Sequence, residues 1–111
     1  MISIDSNKNI EVSRFDTFSI RFTFSDYTLT DNDKVVFAVK ATTNSTETLY
    51  EASFYNSGES YVDVVVAKGA LDNLEPGHYI YDLAIINDST EQIITCFFTK
   101  AFTIKGVAHN V

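Results

Sequence analysis

The sequence predicts an all-β sandwich of seven to nine short strands, and three observations lead there. Val, Ile, Thr, Phe and Tyr make up 47 of the 111 residues, and these types pack well on a pleated sheet. Leu, Ala and Met together supply only 14, poor material for a helical bundle. Apolar and polar residues alternate with period two along most of the chain, broken by turn residues at the roughly 8–12-residue spacing of a sandwich or small barrel. A chain of this length reads as one domain, residues 1–111, with 106–111 as a tail. Folding at this size buries roughly 65% of the unfolded surface, enough for a core without disulfide staples.

The elements follow in order. Ile2, Ile4, Ile10 and Val12 mark one or two short N-terminal strands. Over residues 17–25, Phe18, Ile20, Phe22 and Phe24 alternate with Thr17, Ser19, Arg21, Thr23 and Ser25, the pattern of a half-buried strand. Residues 26–34 are turn-rich, and residues 35–41 are apolar on nearly both sides, so that strand is central. Strands follow at 48–55 and 61–67, the second with Val62, Val64 and Val66 on one face. Leu71 and Leu74 lie three apart, which predicts a short helical crossover over 68–75. Pro76-Gly77 then makes a tight turn. Residues 79–86 and 92–99 form a hairpin across 87–90, and Phe102 and Ile104 mark the last strand. The expected core is Phe18, Ile20, Phe22, Phe37, Val39, Val64, Tyr81, Leu83 and Ile85, with Arg21, Lys40, Glu51 and Asp63 exposed.

Tyr79 follows the crossover at the start of a late strand. That is the place of the tyrosine corner of immunoglobulin-like sandwiches, whose hydroxyl bonds backbone a few residues upstream. The expected fold is therefore an immunoglobulin-like antiparallel β-sandwich. It lacks the Cys–Trp–Cys signature of antibody domains, since Trp is zero and Cys is one.

Composition also bounds function. A net charge of −7 argues against a nucleic-acid binder, which needs a basic surface. No apolar run approaches the ~20 residues of a membrane span, and the first residues do not read as a secretory leader. One Cys excludes an internal disulfide and a cysteine-based zinc cluster. His78 and His109 sit in no catalytic motif, and Cys96 lies in an apolar strand where a thiol is usually packed and inert. Asp26, Asp31 and Asp33 cluster around one loop and could hold Ca²⁺, but they lack the calcium-hand spacing, and Asp is an ordinary turn residue. Glycosylation sequons begin at Asn44 and Asn87, in loops. The chain is expected not to be an enzyme, and no cofactor or metal site is assigned.

Three segments carry a family resemblance. They are Glu11-Val12-Ser13-Arg14-Phe15-Asp16-Thr17-Phe18, the run from Leu29 through Thr30-Asp31-Asn32-Asp33 to Val39-Lys40, and Leu74-Glu75-Pro76-Gly77-His78-Tyr79-Ile80-Tyr81-Asp82-Leu83, closed by Phe102-Thr103-Ile104. This layout resembles the N-terminal domain of phage baseplate upper proteins and related small tail-module proteins of Gram-positive phages and prophages. Members typically read Arg-Gly-Asp-Thr in the first segment, where this chain has Phe15 in place of Gly. The resemblance spans about residues 11–105 and implies a stand-alone adaptor, or a fragment of one. It would be made in the host cytoplasm, built into the virion tail, and partnered with other tail or baseplate proteins or with its own copies.

The alternative is an adhesion or carbohydrate-binding module, in which Tyr50, Tyr55 and Tyr61 stack sugars; the plainer reading packs them in the sheets. For the adaptor, the expected contact surface is the outer face of the 79–86/92–99 hairpin. If Tyr79, Tyr81, Leu83 and Ile85 face the core with Ile94, Cys96 and Phe98, then Ile80, Ile86, Ile93 and Phe97 face outward. A solvated sheet should not carry four large apolar residues there. Either a terminus covers that face or a partner does.

Overall fold

The computed structural model describes residues 2–96 and 99–107. Among these described residues nine strands run as β1 (Ile2–Ile4), β2 (Ile10–Ser13), β3 (Phe18–Thr23), β4 (Asp33–Lys40), β5 (Tyr50–Phe54), β6 (Tyr61–Val66), β7 (Gly77–Asn87), β8 (Ile93–Thr95) and β9 (Lys100–Lys105). They form two layers. The larger sheet runs β1-β2-β9-β7-β4-β5, with β8 also on β7, and the smaller is β3-β6. With β3 and β6 in one layer and β4, β7 and β9 in the other, this is an all-β sandwich.

Alternation decides which residues meet between the layers. In β3, Phe18, Ile20 and Phe22 are buried while Ser19, Arg21 and Thr23 are exposed. In β6, Val62, Val64 and Val66 are buried opposite them. Rings from both layers interlock: Phe37 lies 5.3 Å from Tyr81 and 6.1 Å from Phe102, Phe22 lies 6.4 Å from Tyr81, and Phe18 lies 6.3 Å from Phe102. All nine expected core residues are buried. Of the four expected outside, Arg21 and Glu51 are exposed, whereas Lys40 and Asp63 are half-buried. The Tyr81 hydroxyl, which burial and then the Asp5 charge push toward a higher pKa, donates to the Lys8 carbonyl at 2.5 Å. It thereby ties the loop after β1 to the centre of the core.

Three expectations are corrected. The sandwich is mixed, not wholly antiparallel, because β2 pairs with β9 in parallel, Ile10 against Phe102 and Val12 against Ile104. The chain enters at the edge beside its last strand and both run the same way. The crossover over 68–75 is not a helix. Ala70, Asp72 and Leu74 donate to the carbonyls of Ala67, Gly69 and Leu71, three consecutive turns. Gly69 at φ +87° breaks the helical path, and the segment is too short to offset the cost of nucleating a helix. Leu71 and Leu74 still pack on the core. Finally, the hairpin is truncated: β8 covers only Ala84–Ile86 of β7, and β9 continues along the same edge opposite Gly77–Tyr81.

The corner is where the sequence placed it. The Tyr79 hydroxyl donates to the Glu75 carbonyl at 2.6 Å. In the β2–β3 turn Phe15 has φ +74°, a left-handed conformation that a Cβ disfavours. Arg14 steadies this turn: its guanidinium lies 4.8 Å from the Phe15 ring centroid and reaches the Asp72 carbonyl at 3.3 Å and Glu75 at 3.4 Å.

Candidate functional site

Strand register fixes the outer face of the larger sheet. Directly paired residues share a face, so the outward row of β7 is Ile80, Asp82, Ala84 and Ile86. Beside it on β4 stand Lys40, Ala38, Val36 and Lys34. On the other side, Ala84 meets Thr95, Ile86 meets Ile93, and Ile80 meets Ala101. The face therefore carries an apolar patch of Val36, Ala84, Ile86 and Ile93, and Asp82 separates it from Ile80 and Ala101. Ile80 and Ile86 are half-buried, while Ile93 is 66% exposed. Val36 points outward yet is only 8% exposed, and it lies outside the main core cluster. A shallow depression of about 90 Å³ lies over Ala38, Lys40, Ile80 and Asp82.

The structure thus brings Ile80, Ile86 and Ile93 together on one face; Phe97 lies outside the described residues. The N-terminal strands do not cover this face, because β1 and β2 extend the sheet edge beyond β9. Residues 108–111 of the expected tail lie outside the described residues. Sequence reasoning missed Val36 here, although its place in a strand apolar on both sides was the available signal. The outer face of the small sheet is different in kind. There Arg21 grips Asp63 through two hydrogen bonds of 2.8 and 3.1 Å and lies 4.0 Å from the Tyr61 ring centroid.

The other candidates fall apart or find structural work. His78 sits opposite Thr103, 3.3 Å from its hydroxyl, while the Cys96 backbone bonds Leu83 five residues further along β7. That is roughly 16 Å of strand, and His109 lies outside the described residues. Burial, then the Asp82 charge, pushes the Cys96 thiol up, away from the reactive thiolate. Among the described residues no group of three or more His, Cys, Asp or Glu is placed to hold a metal ion. Asp33 is 1% exposed and committed to protein donors: the Tyr27 hydroxyl at 2.6 Å, the Thr30 backbone at 2.8 Å and Asn87 at 2.8 Å. Burial alone would raise its carboxyl, but these bonds together outweigh it and lower the pKa. Asn87 in turn accepts from the Ser89 and Thr90 backbone. Asp33 and Asn87 therefore buckle the start of β4 to the end of β7, with Asn87 half-buried. Asp31 bonds the Ser57 hydroxyl and Asp26 stands exposed at φ +59°.

The three tyrosines do not form a platform. Tyr50 packs inward, 6.3 Å from Phe37, Tyr55 is 60% exposed beyond β5, and Tyr61 lies under Arg21 on the other sheet. No helix among the described residues is long and apolar enough to cross a membrane. No family model, no curated protein and no solved structure matches the chain.

Proposed function

We propose that this protein is a non-enzymatic structural adaptor of a phage or prophage tail, made in the host cytoplasm and built into the virion by protein–protein contacts. The observation that carries the contact reading is the apolar row on the outer face of the larger sheet, where Ile93 is 66% exposed beside the half-buried Ile86 and no described strand lies over it. A stable sheet exposes such a row at a cost unless another surface removes it from water. The assignment to a tail rests on the resemblance of the three segments to baseplate upper proteins. Its partners would be other tail subunits or further copies of itself.

Co-expression with the tail genes beside its own tests this directly. The native chain should co-purify with one of those subunits or as its own oligomer. The double variant Ile80→Lys/Ile93→Lys should lose that association while keeping its circular dichroism. Val65→Lys, on the smaller sheet where Val65 is 53% exposed, should retain it. Genomic neighbours without any tail, baseplate or lysis gene would overturn the tail assignment. Unchanged association of the double variant would overturn the contact face.

A further inference from the structure

The smaller sheet has an open edge among the described residues. β3 has β6 on one side and no strand on the other among the described residues. The Phe24 backbone N–H donates to the Ser60 carbonyl at 2.7 Å, and the ladder continues from there through Phe22 and Val62, then Ile20 and Val64. Antiparallel pairs alternate between bonded and non-bonded. The even residues therefore turn their backbone groups to β6, and Ser19, Arg21 and Thr23 turn theirs off the open edge. All three are exposed.

Beside that edge lies a groove of about 650 Å³ between the layers. Its apolar lining includes Phe22 and Phe24 on one side and Leu83, Ile85, Ile94 and Cys96 on the other. The charged residues among its described lining are Lys8 and Arg21, with no carboxylate. That is notable in a chain with 15 acids against 8 bases. Arg21, paired with Asp63 on the exposed outer face, and Lys8 are the two cations an incoming acid can approach.

We propose that this edge accepts an extended, alternating apolar–acidic segment of a partner protein as an added strand. A strand laid on β3 places every second side chain inward, beside Phe22 and Phe24 in the groove, and the others outward beside Ser19, Arg21 and Thr23. An acid in the outward set meets Arg21, and one at the groove mouth meets Lys8. The occupant is not a second β3. Antiparallel self-pairing centred on Arg21 sets Arg21 against Arg21, which is destabilising, and the equally long pairing centred on Ile20 sets Arg21 against Ser19, so a second β3, which has no acid, leaves Lys8 and Arg21 unmatched. This surface is separate from the outer face of the larger sheet and does not depend on the tail assignment.

The probe is a capped peptide of valine alternating with threonine, glutamate and threonine, titrated into the native protein with amide exchange read by NMR. Protection should rise at Ser19, Arg21 and Thr23. Replacing the glutamate by lysine, or N-methylating the peptide amides that face β3, should each weaken binding about tenfold, the worth of one good hydrogen bond or charge contact. Thr23→Pro removes an N–H that β6 does not use and should cause a similar loss; the N-methylated peptide gives that answer on the native chain if the variant does not fold. Ile80→Lys/Ile93→Lys should bind the peptide normally, which separates this edge from the contact face. Protection confined to other residues, none at millimolar peptide, or equal binding of the N-methylated peptide would overturn the proposal.

Discussion

Phe15 shows how a single residue can carry strain that its neighbours offset. Its φ of +74° costs a residue with a Cβ about 1–2 kcal/mol, and the Arg14 guanidinium over its ring returns about 0.5–1 kcal/mol. Two substitutions separate these terms. Phe15→Ala keeps the backbone strain and loses the ring, while Phe15→Gly loses both. Glycine should therefore be the more stable of the two by about 1 kcal/mol in urea denaturation, the reverse of their order in a strand or helix. At the corner, Tyr79→Phe should cost about 0.5–1.5 kcal/mol, the net worth of the bond to the Glu75 carbonyl. Asp33 gives a pH signature. Its folded pKa lies below the unfolded value, so its stabilisation is present above about pH 4 and is lost as pH falls through the folded value. Asp33→Asn should flatten the acid limb of the stability curve. Some slope should persist, because Asp5 and Asp63 are also lowered, by Asn9 and by Arg21 respectively.

Elements differ in how plainly the sequence announces them. β3 and β6 were legible because one face of each packs on the core and the other meets water, which stamps period two on the residues. Phe22→Ala should cost about 3–5 kcal/mol in the same denaturation experiment, since its ring is buried against Tyr81. The crossover was misread because leucines three apart fit one helical turn and consecutive β-turns equally well. The parallel pairing of β2 with β9 was not legible, since local alternation says which face is buried but not which strand lies alongside. The Asp33–Asn87 buckle joins residues far apart in sequence, and each looked like an ordinary turn residue by itself. Of the candidate site, the outward set Ile80, Ile86 and Ile93 followed from alternation alone.

At the scale of the whole molecule, the two layers are unequal, and that inequality organises the surface. The two-strand layer packs on part of a much wider sheet, leaving an open edge at β3 and a broad outer face on the other side. The small layer's outer face carries the Arg21–Asp63 pair beside Tyr61, with Val65 as an isolated exposed apolar residue. The wide sheet's outer face carries the apolar patch. An acidic chain with one apolar face is suited to meeting another surface there while its charge opposes indiscriminate association elsewhere. The most direct measurement is a photo-crosslinking amino acid placed at Ile93 and, in a separate variant, at Val65, in cells assembling tail particles. A crosslink is expected from position 93 to a tail subunit or to a second copy of the chain, and none from position 65. A crosslink from 65 alone, or none from 93 in particles that contain the protein, would contradict this expectation.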